Sequence, residues 1–258
     1  MFSKVRSATF VTAYDSLPVC GSVRCFDSGT QTIPAIVDAL LREKVVILPN
    51  YWTARQAKLG RAEVRRAVND CRQVVNGRDY RRLGHNELLD EYPIAATFAN
   101  DSFIIAVALA FLNKTNISVK AQAGLTLVGG NSGAGWHKDT VRRGFKALIY
   151  LNDVSDAGGP FGFLANYSDA HLRHAFDKRG RNTRYSQQSI DDQVEVFGAQ
   201  TRRIHAPAGS MVLFDISNVH RGAPCRKRMR SVLTLYVDTP LKSAFCAPMQ
   251  HVYQELDT

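Results

Sequence analysis

Paired cysteines, long apolar runs and linkers are missing from this chain, and acidic residues are in deficit. The five cysteines among 258 residues, Cys20, Cys25, Cys71, Cys225 and Cys246, are odd in number and scattered, with no C-x-x-C pair. That pattern excludes a disulfide framework or a zinc site built on paired thiols and fits reduced thiols. The longest apolar run, Phe103 to Leu112, is about half of the roughly 20 residues that a membrane-spanning helix needs. Ser7 to Tyr14 is too polar for the core of a signal peptide, so a soluble, cytoplasmic protein is expected. No Pro/Gly/Ser-rich linker, internal repeat or low-complexity segment divides the chain. With a hydrophobic content of 45%, residues 1–258 read as one globular domain.

The acid deficit, 23 Asp and Glu against 33 Lys and Arg, leaves a net charge of +10. Basic residues gather at Arg142-Arg143, Lys178-Arg179 with Arg181 and Arg184, Arg202-Arg203, and Arg226-Lys227-Arg228 with Arg230. Such a field draws in an anionic small molecule such as a phosphate, a nucleotide-linked compound or a carboxylate. Solvated loop charges are the plainer reading and stand beside it. No basic helix with interleaved aromatics marks a nucleic-acid binder.

Periodicity predicts a helical N-terminal part to about residue 115 and a strand-rich core from about 116 to 240. Pro34 to Arg42 has helical spacing, and Val45 to Leu48 reads as a short buried strand ended by Pro49. Thr53 is placed to cap a helix running through Val64, Val68 and Cys71, and Asp101 to cap one over Phe103 to Leu112. The polar stretch Arg72 to Glu91 contains the turn signal Asn76-Gly77 and reads as a loop able to cover a site. Strands are predicted at Val119 to Leu127, Phe145 to Leu151, Val194 to Phe197, Ser210 to Asp215 and Ser231 to Val237, with Asp169 to Gln193 irregular. Strands separated by Gly, Pro, Asn and Asp turns suggest an antiparallel barrel or sandwich.

The chemistry-bearing pattern is Gly135-Trp136-His137-Lys138-Asp139, answered downstream by Asn218-Val219-His220 and then by Arg230-Ser231. Two imidazoles and one carboxylate are the ligands of a facial triad, which holds non-haem Fe(II) and leaves positions open for O₂ and a co-substrate. In an extended segment His137 and Asp139 point the same way while Lys138 points elsewhere. The apolar run Gly209 to Asp215 delivers His220 just past its end. After the turn Gly222-Ala223-Pro224, Arg230 starts a second strand, next to His220 if the two segments form a hairpin. Its guanidinium can grip a carboxylate bidentately, which suits a dicarboxylate co-substrate. Arg228, two residues earlier, is the competitor for that role.

H-x-D after a glycine-rich turn, a long strand-rich insert, a histidine closing an apolar strand and an arginine ten positions later together resemble the Fe(II)/2-oxoglutarate dioxygenases. Ala147 to Phe161, with its acidic turn and glycines, is most similar to the phytanoyl-CoA dioxygenase-like branch, and the resemblance is specific from about residue 116 to 238. It implies a double-stranded β-helix, or cupin-like jelly roll, that is mostly β with flanking helices. It implies Fe(II) on His137, Asp139 and His220, 2-oxoglutarate on Arg230, O₂ at the remaining position, and oxidation of a substrate C–H bond with release of succinate and CO₂. It also implies a co-substrate contact from the strand bearing Tyr150, with Lys146 on the same strand face. Retention of Asp139 points to hydroxylation, since related halogenases replace that carboxylate. Two departures stand out: Lys138 where relatives often carry glutamine, and Asn166-Tyr167-Ser168 where they carry Pro-Gly-Ser. The first predicts an altered, anion-directed contact and the second a reshaped pocket rim. The substrate expected is a small molecule, anionic by the charge distribution. A macromolecule-directed oxygenase and a non-catalytic jelly-roll binder are the alternatives.

Overall fold

In the strand over Phe145–Tyr150 nearly every residue is buried, so both of its faces need a cover. The covers come from different parts of the chain. The computed structural model describes residues 32–70, 75–76, 80–82, 91–130, 135–172, 175–176 and 183–238. The helices are α1 (Ile33–Glu43), α2 (Ala54–Asp70), α3 (Pro93–Ala99), α4 (Ser102–Leu112) and α5 (Gln187–Phe197). The strands are β1 (Val45–Leu48), β2 (Val75–Asn76), β3 (Tyr80–Arg82), β4 (Ser118–Thr126), β5 (Trp136–Lys138), β6 (Phe145–Tyr150), β7 (Phe161–Ala165), β8 (Ala175–Phe176), β9 (Thr183–Tyr185), β10 (Gln200–Ile204), β11 (Met211–Asp215), β12 (His220–Gly222) and β13 (Arg230–Asp238).

These strands pair antiparallel in two sheets, β1-β11-β6-β13-β4-β3-β2 and β10-β7-β12-β5-β9-β8. The large sheet carries buried apolar residues on both sides. Its outer positions, among them Ala121, Ala123, Phe145, Ala147, Ile149, Leu213, Leu233 and Leu235, pack under α1 to α4. Its inner positions, Val45, Ile47, Tyr150, Val212, Phe214 and Val232, meet Phe161, Phe163 and Ile204 of the small sheet. The small sheet's outer face, with Trp136 and Leu164, lies against Ile190 of α5. Burying a Leu-, Ile- or Phe-sized side chain is worth ~1.5–3 kcal/mol, so these three clusters supply the main drive to this two-layer arrangement.

Local signals set the helix boundaries. Thr53 and Gln56 form a reciprocal capping box at the start of α2, Gln56 N donating to Thr53 Oγ1 at 3.2 Å and Thr53 N to Gln56 Oε1 at 2.9 Å. Asp101 Oδ1 accepts from Phe103 N and Ile104 N at 3.0 and 3.1 Å, starting α4. The apolar stretch from Pro93 to Leu112 is long and apolar enough to cross a membrane by composition. It is divided at Asn100 and Asp101 into α3 and α4, which bury Phe98, Ile104, Val107 and Phe111 against the large sheet.

Three expectations are corrected. Val194 to Phe197 is not a strand but the last turn of α5: Ser186 caps the helix through Ser189 N, and Gly198 ends it in the left-handed conformation. Within Arg72 to Glu91, residues 75–76 and 80–82 are strands that extend the large sheet beyond β4, because a sheet edge offers unpaired backbone groups to an adjacent segment. The other residues between 71 and 90 lie outside the described ones. Finally, His220 and Arg230 do not sit on a hairpin: β12 pairs with β5 and β7, whereas β13 pairs with β4 and β6. The chain crosses from one sheet to the other over residues 223–229. The helical part and the core are also interleaved, since β1 pairs with β11 as a strand of the large sheet.

Candidate metal centre

Gly135 begins the site at φ 94°, a backbone conformation that L side chains rarely adopt, and β5 follows at once. His137 pairs in register with His220, which brings the two imidazoles together on the inner face of the small sheet with centroids 4.5 Å apart. Asp139 lies one residue past β5, its backbone N–H donating to Ile216 O at 3.1 Å. Its carboxylate oxygens stand 3.5 Å from His137 Nε2 and 3.3 Å from His220 Nε2. One ligand atom from each of these three residues lies within 4.8 Å of the others.

The backbone fixes both tautomers. His137 Nδ1 is 2.9 Å from Gly135 O and His220 Nδ1 is 2.8 Å from Asn218 O. A carbonyl only accepts, so each Nδ1 carries the proton and each Nε2 turns its lone pair toward Asp139 and the space between. Burial, then the neighbouring His137, lowers the His220 pKa and favours the neutral imidazole that a metal requires. The rings of Phe161 and Phe214 flank His220 at 5.7 and 5.1 Å.

Two neutral nitrogens and a carboxylate form a donor set suited to a first-row divalent metal. Bonds of ~2.1 Å at right angles give octahedral edges of about 3 Å. The 3.3 and 3.5 Å separations are close to that, so the residues fit such an ion.

Lys146, which sequence reasoning placed only loosely, lies against this group. Its Nζ donates to Asp139 Oδ2 at 2.6 Å and sits 3.9 Å from the centroid of the Tyr236 ring. Burial opposes ionisation of Asp139, but the Lys146 ammonium overcomes it and holds the carboxyl well below its usual range. Burial likewise works against the Lys146 charge, and Asp139 outweighs it, so the Lys146 pKa is raised. The seven-residue separation of Asp139 and Lys146 spans a turn, so no periodic signal announced the contact.

Arg230 is buried at 3% exposure, and its Nη2 lies 3.4 Å from Thr126 Oγ1. Desolvation lowers its pKa, which makes an anionic partner favourable there. Arg228 is exposed on the crossing loop, outside any strand, so of the two arginines it is Arg230 that reaches the interior. Tyr150 requires a correction. Its hydroxyl donates to Ile204 O at 3.2 Å and accepts from Phe161 N at 2.9 Å, and burial pushes its pKa up to about 12. The donor a co-substrate carboxylate would need is already committed.

The two departures also fall elsewhere. Lys138 points to the outer face of the small sheet, where it pairs with Asp169 and faces the Tyr167 ring at 5.3 Å. Asn166 takes a left-handed turn at φ 56°, and Tyr167 OH accepts from Val219 N at 3.3 Å, so this segment braces that outer face rather than the pocket rim. His171 stacks on Phe197 at 4.3 Å, and His205 contacts Asp156 at 3.2 Å. His85, His174 and His251 lie outside the described residues.

Neither a protein-family model nor a curated protein sequence matches the chain. Solved structures do resemble it. The epimerase SnoN, in complex with Fe3+, α-ketoglutarate and nogalamycin RO, aligns with a TM-score of 0.59 at 16% identity, over 80% of this chain and 82% of that one. A Pseudomonas putida prolyl-4-hydroxylase aligns with a TM-score of 0.56 at 16% identity, over 80% and 98%. HygX from Streptomyces hygroscopicus, with nickel, 2-oxoglutarate and hygromycin B bound, aligns with a TM-score of 0.56 at 14% identity, over 81% and 86%. At such identities the likeness establishes the fold, a double-stranded β-helix with flanking helices.

Proposed function

We propose that this chain is a non-haem Fe(II)- and 2-oxoglutarate-dependent oxygenase that hydroxylates a C–H bond of a small molecule. The observation that carries this reading is the inward face of two Nε2 lone pairs and one carboxylate, set opposite a sheet that buries Arg230. His137, Asp139 and His220 would hold Fe(II), and Arg230 would take the far carboxylate of 2-oxoglutarate. The bound pair supplies oxidising power: O₂ and 2-oxoglutarate give succinate and CO₂ while a substrate C–H becomes C–OH.

The chain's own residues do the rest. Gly135 O and Asn218 O hold the two imidazoles in the ligating tautomer. Phe161 and Phe214 set apolar rings beside His220, in one buried cluster with Val232. Retention of Asp139 fills the position that halogenation would require empty. HygX binds hygromycin B and SnoN is an epimerase, so a small-molecule substrate is the reading with most support. Product mass separates the outcomes: hydroxylation adds one oxygen atom, and epimerisation leaves the mass unchanged.

The test is an anaerobic titration of the purified protein with Fe(II) and 2-oxoglutarate, following the visible metal-to-ligand charge-transfer band. The band is expected in wild type, abolished in His137→Ala and weakened in Arg230→Ala. A folded wild-type protein with no band would overturn the assignment and leave a jelly-roll binding protein.

A further inference from the structure

One transverse row of the large sheet places charge where the barrel opens. Tyr236 of β13 pairs in register with Lys146 of β6 on one side and with Lys120 of β4 on the other. Directly paired residues point to the same face, and Lys146 fixes that face as the inner one by touching Asp139. Lys120 and Tyr236 are therefore inward-facing as well, yet both are only partly buried. Six positions along β13 the corresponding inner row holds Arg230, Thr126 and, nearby, Tyr150, at 3%, 2% and 0% exposure. Among the described residues the interior is closed at the Arg230 end and open at the Lys120–Tyr236 end. Asp139, with a side chain 22% exposed, belongs to the open end.

We propose that Lys120, Tyr236 and Lys146 form the wall that recognises the primary substrate, and that this substrate carries a carboxylate or phosphate group. The proposal rests on the oxygenase reading and names its substrate class. Neighbouring strands lie ~4.8 Å apart, so the two lysines, on either side of β13, stand about 10 Å apart at the backbone. Their long stems can converge on one anion above the Tyr236 ring, and the phenol adds a hydrogen-bond donor. A dication held by Asp139 would compete for the negative charge that pairs with Lys146. An ammonium as buried as this one is then stabilised by a second anion within reach. Lys146 would then be left to an anionic substrate at this end, while Arg230 would take the co-substrate carboxylate at the other.

The experiment uses the anaerobic Fe(II) complex saturated with 2-oxoglutarate and two matched pairs of probes, phenyl phosphate with phenol and benzoate with benzamide. Calorimetry gives each affinity, and the charge-transfer band is read in the same sample. At least one anion is expected to bind wild type tenfold or more tighter than its uncharged partner. Lys120→Met should remove most of that preference, Lys120→Arg should restore it and Tyr236→Phe should reduce it in part. Lys120 is not one of the three metal ligands, and the charge-transfer band read in the same sample separates an effect on the wall from one on the metal. Equal binding of both anions and their uncharged partners, with the band present, would overturn the wall and leave the oxygenase reading standing. A Lys120-dependent preference without any band would overturn the oxygenase reading and, with it, the substrate role of this wall, leaving an anion-binding site alone.

Discussion

Tyr150 gives its one proton to Ile204 O and accepts from Phe161 N, joining the large sheet to the small one inside the barrel. Tyr150→Phe leaves both of those buried backbone groups without their partner, and unmade buried hydrogen bonds cost ~1–3 kcal/mol each. We expect a clear loss in denaturant midpoint with an unchanged urea slope. If Tyr150 instead bound co-substrate, the variant would keep its stability and lose the charge-transfer band. His220 gives a second prediction. Its folded pKa lies below the ordinary value of 6.5 because of burial, so the unfolded chain takes up protons first as pH falls. The stability His220 contributes is complete above 6.5 and declines below it. Melting of the metal-free protein between pH 7.5 and 5.5 should show that decline, and His220→Gln should flatten it. The grouping of the candidate ligands was legible because His137 and Asp139 share a strand parity and His220 ends an apolar run. Lys146 was not, because its contact with Asp139 depends on how the intervening turn closes.

At the scale of elements, the crossing loop over 223–229 is pinned to the turn at 156–158. Ala157 O accepts from Arg226 N, Lys227 N and Arg228 N at 3.0, 2.9 and 3.0 Å. Gly159 beside it has φ 66°, and a Cβ there would fall 2.3 Å from Ala223 O. Gly159→Ala is expected to cost more than about 2 kcal/mol through left-handed strain and that backbone clash. Chemical denaturation would check it, and a loss below half that figure would mean the loop shifts freely. Asp101→Ala removes the α4 cap and should cost ~0.5–2 kcal/mol in the same assay. Most elements could be read from pattern, as the caps at Thr53 and Asp101 show. Val194-Glu195-Val196-Phe197 misled because its alternation mimics a strand, while the decisive signals, Ser186 and Gly198, lie outside it. The crossing at 223–229 was hidden for another reason: a Gly-Ala-Pro turn reads the same whether the next strand returns to its own sheet or enters the facing one.

Over the whole molecule, a net charge of +10 makes binding of an anion sensitive to ionic strength. The screening length falls from ~10 Å at 0.1 M salt to ~3 Å at 1 M. Phenyl phosphate affinity should therefore drop with added NaCl, whereas phenol affinity should hold. Parallel salt dependence of the two would assign the charge to general solubility. The division of labour between the sheets has a mechanical consequence. Both imidazoles hang from the small sheet, and Arg230 hangs from the large one. On the proposed reading, a co-substrate chelated at the metal and gripped at its far end by Arg230 would act as a rivet through two plates, resisting their separation in a way that neither metal nor co-substrate would manage alone. Melting with both present should exceed the sum of the two separate shifts, and the excess should vanish in Arg230→Ala.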